Sequence, residues 1–192
     1  YTCRAHVSWV GNQLKLPAKL PQPLQRERRI INGKYRVYMN YCTVSYTAAW
    51  WNWERWQQEL DYMAMNAINM PLFSVGLDGV WYNTLLRFNF TEEEARAFLT
   101  GPGHSAWQWM QNIQSYGGPL PKSVIDKHVA LGKKIIARQL ELGMQPIQQG
   151  FSGYVPRELQ EKYPQAKISM KRKWCGFDAT AQLDPTDPLF HE

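Results

Sequence analysis

Residues 35–73 read YRVYMNYCTVSYTAAWWNWERWQQELDYMAMNAINMPLF, and the fold depends on how this stretch divides. The segment 35–46 is rich in aromatic and β-branched residues and free of Gly and Pro. That composition predicts a buried strand followed by a loop. Asn52 then stands where a helix N-cap belongs, with Glu54 in the first turn. Trp53, Trp56, Leu60, Met63 and Ala67 follow at helical spacing, so the second half is read as an amphipathic helix. INMPLF (68–73) is a second short strand. Strand, helix and strand in this order predict a parallel βαβ unit.

The pattern continues towards the C-terminus. SVGLDG is read as the loop after the second strand, and 79–118 as a long insertion of helices and loops. Within it, Thr91 and Glu94 have the spacing of a capping box. TGPGH breaks that helix, SAWQWMQNI forms another, and YGGPLP ends it. KSVIDKHVALGKKIIARQLEL (122–142) is the clearest helix, with Ile125, Val129, Ile135, Ile136 and Leu140 as its apolar face. Gly143 occupies its C′ position. MQPIQQGFSGYV is read as a third strand with its loop, and Pro156 opens a short helix over PRELQEKY. Three such strands cannot close a barrel, but they match the opening of an eight-stranded one.

The 192 residues are 44% hydrophobic and 14% aromatic, with nine tryptophans, which is enough for a real core. The net charge of +6 is local. Residues 1–34 hold seven basic residues against Glu27 alone, and the remainder is balanced. This basic stretch, with LKLPAKLPQPLQRERR, is read as a solvated extended connector rather than a nucleic-acid arm. A strand-like run, AHVSWV, precedes it. The opening YTCRAHVSWV reads as mid-protein. Cys3, Cys42 and Cys175 are far apart without a C-x-x-C, which argues against a zinc site or a disulfide framework. No apolar run reaches the length of about 18 residues expected of a membrane span. No cofactor is expected.

Parallel βα architectures bind ligands at the C-terminal ends of strands. Three loops qualify: NYCTVSYTAAWW, SVGLDGVW and QGFSGYV. All are nearly uncharged and rich in amides, small residues and rings. Sugar hydroxyls need directed hydrogen bonds, and the C–H face of a sugar packs on aromatic rings. Trp53 and Trp56 belong to the helix stripe and are read as core. Trp50 and Trp51 could be core or pocket, and Asn40 could bond a ligand or its own backbone. Asp78, Asp184 and Asp187 are read as turn formers, and His104 as loop surface. Asn89-Phe90-Thr91 is an N-glycosylation sequon, meaningful on a eukaryotic secretory route. No Asp/Glu pair stands at two strand ends, as glycoside hydrolysis requires.

Several blocks together resemble the α-N-acetylglucosaminidase family, glycoside hydrolase family 89. They are HVSWVGNQLKLP, YMNYCTVSYTAAWWNWERWQQELDYMAMNAINMPL, FLTGPGHSAWQWMQNIQSYGGPLP, GMQPIQQGFSGYVP and LDPTDPLF. The resemblance implies an α/β fold: the opening βα units of a (β/α)8 TIM-type barrel, incomplete in this chain. Residues 34–192 would be the first part of that barrel. Residues 1–33 would be the tail of a small N-terminal α/β domain and a basic Pro-rich connector.

The activity implied is removal of terminal α-linked N-acetylglucosamine with retention, by two glutamates outside this chain, so the chain alone is expected to be inactive. The family's N-x-C motif matches Asn40 and Cys42, implying that both face the sugar. Its GPAFLAWGRMGN block is similar to GPGHSAWQWMQN, implying Trp107 and Met110 as pocket wall. Gly103-His104-Ser105 and Trp109-Met110-Gln111 depart from that block, which bears on the rim. Tyr154 in FSGYV stands where some members have His and is a candidate subsite residue. The implied partners are the glycan substrate and the remainder of the same polypeptide, with no nucleic acid and no membrane span. The implied location is secreted or periplasmic in a bacterium and lysosomal in an animal. The alternative reading is a non-catalytic carbohydrate-binding module that uses the aromatic loops.

Overall fold

The computed structural model describes residues 28–192 throughout and, ahead of them, 8–10, 13–15, 18–19, 22 and 24–26. Cys3, residues 5–7 of the first strand-like run and several positions of the Pro-rich connector lie outside the described residues. Strands β1 (Ser8–Val10) and β2 (Gln13–Lys15) form an antiparallel pair with Trp9 opposite Leu14.

The parallel βαβ unit is present. Strand β3 (Val37–Tyr38) pairs in parallel with β4 (Met70–Pro71), placing Val37 opposite Met70. Leu72 then bridges in parallel to Ile147, and the Phe73 N–H donates to the Ile147 carbonyl at 2.8 Å. Three parallel segments thus lie side by side in chain order. Helix α2 (Trp53–Met65) makes the first crossover, and the Asn52 side chain caps it by accepting from the Arg55 N–H at 3.0 Å. Its buried stripe is Trp56, Leu60 and Met63, packed with Ile135 and Met144. Burying such side chains is worth about 1.5–3 kcal/mol each.

The stretch 35–46 differs from its reading. The strand lasts two residues and gives way to helix α1 (Tyr41–Tyr46). Asn40 is the reason. Its side-chain oxygen accepts from the Thr43 N–H at 3.1 Å and from the Thr43 hydroxyl at 3.2 Å, which starts a helix in a segment of high strand propensity.

The insertion holds helices α3 (Leu77–Arg87), α4 (Glu92–Phe98) and α5 (Ser105–Trp109). The loop expected at SVGLDG is cut short because Leu77 already opens α3. The capping box forms: the Glu94 N–H donates to Thr91 Oγ1 at 3.2 Å, and the Thr91 N–H donates to Glu94 Oε2 at 2.7 Å. These helices enclose a second core around Leu85, Phe98, Leu99, Trp109 and Tyr154.

Helix α6 (Lys122–Glu141) returns to the barrel layer and buries Ile125, Gly132, Ile135 and Gln139. Leu140, read as part of the apolar face, is exposed. Five residues beyond Ile135 it is rotated about 140° away, and Gln139 takes the inward position. Gly143 adopts φ +71° just after the helix, as a C′ glycine does.

The third strand is shorter than its reading. The parallel contact ends at Ile147, and β5 (Tyr154–Val155) instead joins an antiparallel sheet in the order β5-β7-β6. Strands β6 (Ile168–Met170) and β7 (Ala181–Leu183) were not legible in sequence, being three residues each. Pro156 opens the next turn by accepting from the Leu159 N–H at 3.1 Å, ahead of helix α7 (Leu159–Lys162). A 3₁₀ turn over Pro188–His191 follows Asp187, whose side chain accepts from the Leu189 N–H at 2.9 Å. Among the described residues no helix is long and apolar enough to cross a membrane.

Candidate functional site

Asn40 stands two residues after β3, where a parallel strand ends, and Cys42 lies on the helix that Asn40 caps. Trp107 lies on α5, and Met110 is the residue that closes it. Helices α1 and α5 are 60 residues apart in sequence, yet they are stitched together through Ser45. The Ala106 N–H donates to Ser45 Oγ at 2.9 Å, and Ser45 Oγ donates to the Pro102 carbonyl at 3.1 Å. Tyr46 meets Trp107 edge-on, with ring centroids 5.4 Å apart. Four of the five expected site residues therefore sit on two packed helices at one strand end.

Their chemistry is neutral. Asn40 spends its side-chain oxygen on the cap, so its Nδ2 makes no hydrogen bond among the described residues. Asn40 is exposed, and Cys42, Trp107 and Met110 are half-buried. Cys42 is a free thiol. An amide donor, a thiol, a thioether and an indole face supply directed bonding beside apolar surface, which suits a polyhydroxylated ligand. The phenol of Tyr41, the first residue of α1, is pushed up by burial, and the Gln149 main chain beside it works the other way. This contact joins the first and third strand-end loops.

Tyr154 stands apart. It is 2% exposed, and its ring packs against Trp81 and Phe98 at 5.6 Å from each. Its hydroxyl donates to the Ile113 carbonyl at 2.7 Å. Burial raises its pKa far above the ordinary phenol range. It lines a cleft of about 450 Å³ together with Trp81, Phe88, Phe151 and Phe190, and Gln108 and Trp109 of α5 line the same cleft. Among these groups Tyr154 is a core residue, away from the Ser45–Ala106 contact that joins α1 to α5.

The tryptophans divide by depth. Trp56 is 3% exposed and belongs to the core; Trp53 is half-buried on the same helix. Trp51 is pinned by the Arg55 guanidinium 3.9 Å above its ring and by Trp56 at 5.2 Å. Arg55 also pairs with Glu59 at 2.9 Å, and Glu59 accepts from the Tyr38 hydroxyl at 2.9 Å. Burial, then this bond, pushes the Tyr38 phenol up to about 12. Trp50 is 80% exposed.

Two supporting residues escaped sequence reading. Gln108 is fully buried, accepts from the Thr100 N–H at 2.8 Å and donates to the Phe98 carbonyl at 2.8 Å. It ties α5 to the end of α4. Its place between Trp107 and Trp109, within an apolar stretch, was the available signal. Asp78 is not a turn former. Buried in the first turn of α3, it contacts His128 of α6 at 2.6 Å. The two lie 50 residues apart, so no local spacing reveals the pair. Asp184 does form a turn, accepting from the Thr186 N–H at 2.7 Å. Among the described residues no three His, Cys, Asp or Glu side chains converge as metal ligands.

Comparison with known proteins places this geometry. The family model "Alpha-N-acetylglucosaminidase (NAGLU) tim-barrel domain" matches residues 36–192. The human protein named α-N-acetylglucosaminidase is 35% identical over 192 residues, covering 98% of this chain and 26% of the relative. A family 89 glycoside hydrolase from Clostridium perfringens, solved with 2-acetamido-1,2-dideoxynojirmycin, superposes with a TM-score of 0.86 at 36% identity. That match covers 93% of this chain and 20% of the bacterial one. A double Glu-to-Gln variant of the Clostridium perfringens enzyme, in complex with its substrate GlcNAc-α-1,4-galactose, matches with the same TM-score of 0.86 and 36% identity. The chain thus spans about a quarter or less of the relatives it matches. With most of its length inside the family model, the chain belongs to the α-N-acetylglucosaminidase family, and residues 36–192 lie in its TIM-barrel domain.

Proposed function

We propose that this chain supplies the opening wall of the sugar pocket of an exo-acting, retaining glycoside hydrolase. The enzyme removes terminal α-linked N-acetylglucosamine from glycans. The observation that carries this is the packing of α1 on α5, which brings the helix that Asn40 caps and Cys42 belongs to against the helix that carries Trp107 and ends at Met110. Asn40 Nδ2 donates to a sugar oxygen, Trp107 packs on a C–H face, and Cys42 and Met110 close the apolar side.

None of these residues carries charge, so they position rather than react. An oxocarbenium-like transition state needs two carboxylates flanking the bond, about 5–5.5 Å apart for retention. Those glutamates belong to the remainder of the same polypeptide, which also completes the barrel. The division near Gly33 separates this barrel segment from a connector and the tail of a smaller domain. The compartment in keeping with such an enzyme is secreted or periplasmic in a bacterium and lysosomal in an animal.

The test compares hydrolysis of a chromogenic α-N-acetylglucosaminide by the full-length protein and by this 192-residue chain. Turnover is expected in the former alone. Turnover by the isolated chain would overturn the placement of the acids. Sugar binding without turnover in the full-length protein would favour the carbohydrate-binding module.

A further inference from the structure

Beyond Trp107 the rings do not stop. His104 lies 6.2 Å from Trp107 by ring centroid, Tyr116 lies 4.5 Å from His104, and Phe177 lies 5.0 Å from Tyr116. Trp174 stacks beside Phe177 at 5.9 Å with 17° between the ring planes. Tyr46 extends the row on the other side of Trp107. Six rings therefore form one chain of contacts across three segments distant in sequence. They do not close over a core: Tyr116 is 45% and Tyr46 73% exposed, and the other four are half-buried. A continuous aromatic row left open to solvent is a binding feature more than a packing one.

The far end is built on a tight turn. Trp174 and Phe177 face each other as a bridge across Cys175 and Gly176, and the Phe177 N–H donates to the Trp174 carbonyl at 2.8 Å. Cys175 and Gly176 have φ of +47° and +83°, the signs a type I′ turn requires. The left-handed conformation is unfavourable for a non-glycine residue, yet this turn holds two rings side by side at the surface. Exposed Ser115 and the exposed Lys173–Asp178 ion pair (3.4 Å), neighbours of these rings in sequence, add a hydroxyl and charged groups next to ring-bearing residues. Rings flanked by such groups suit a pyranose chain, whose C–H faces stack and whose hydroxyls bond at the edge.

We infer that the row from His104 through Tyr116 to Phe177 and Trp174 binds the sugar residues that follow the terminal one, so that it selects glycan chains over short glycosides. The inference rests on the proposed sugar pocket at Trp107, which the row continues. It also gives the Gly103-His104-Ser105 departure a role, since His104 joins pocket to row.

The test uses the full-length protein and two substrates: methyl α-N-acetylglucosaminide, and a glycan of at least three sugars ending in α-linked N-acetylglucosamine. In Trp174→Ala and in Tyr116→Ala, kcat/KM on the glycan is expected to fall roughly two- to tenfold, the share of one ring contact. The methyl glycoside is expected to be unaffected. Trp174→Tyr keeps a ring and should recover most of the loss. Equal losses on both substrates, or no loss on the glycan at unchanged melting temperature, would overturn the inference. If the wild-type protein hydrolyses neither substrate, the enzymatic reading has failed, and calorimetric titration with the same glycan then decides about the row alone. Weaker binding by Trp174→Ala would support it, and equal binding would reject it.

Discussion

Asn40 has a structural job and a proposed one that substitution can separate. Its oxygen caps α1, and its Nδ2, unbonded among the described residues, is the group proposed to meet the sugar. Asn40→Asp keeps the cap acceptor and removes the donor. The full-length protein should then melt normally while KM for an N-acetylglucosaminide rises. Asn40→Ala loses both functions, adding about 0.5–2 kcal/mol of lost helix stability. Trp56→Phe, in the core, should weaken substrate binding less than Asn40→Ala does; equal losses would place Trp56 in the site. Tyr38 yields a prediction in pH. Its pKa rises from 10.0 to about 12 on folding, so the folded state favours the protonated phenol. The associated stability is complete below pH 10 and is lost as pH climbs towards 12. Tyr38→Phe should flatten that alkaline limb in melting curves taken between these values.

At the scale of elements, two helix positions test what the packing demands. A Cβ on Gly132 of α6 would land against the Val75 carbonyl oxygen, well inside contact distance, with Phe73 close by. Alanine is the better helix former by about 1 kcal/mol. Gly132→Ala should nonetheless destabilise by roughly 1–3 kcal/mol, because backbone must move. A gain in stability on denaturant titration would show that α6 sits further from the strand-end loop. The capping box of α4 tests the opposite case, a purely local device. Thr91→Ala should cost about 1 kcal/mol, with little effect on substrate kinetics, since α4 contributes no ring or amide to the α1–α5 site.

At the scale of the whole molecule, three parallel segments are too few to close a barrel. Val37 and Tyr35, at the edge of the parallel set, are largely exposed, as are Phe151 and Val80. The relatives are about four to five times as long as the matched segment. The isolated chain should therefore bind an apolar fluorescent dye that the full-length protein, compared mole for mole, binds much less. Equal dye binding would mean that these surfaces are not covered by the rest of the barrel.

Local chemistry made much of this legible. Asn52 with the Trp53–Trp56–Leu60–Met63 spacing determined α2, Thr91 with Glu94 determined the cap of α4, and Gly143 determined the end of α6, because each effect acts within one or two helical turns. The βα alternation determined the parallel class. The blocks around Asn40, Cys42, Trp107 and Met110 marked the residues that the fold brings onto two neighbouring helices. Only the tertiary structure decided the rest. It packed α1 on α5, drew Tyr154 into the core, paired Asp78 with His128 and lined up the rings from Tyr46 to Trp174. Those outcomes depend on groups tens of residues apart meeting once the chain has folded, and no periodicity along the chain encodes which distant partners meet.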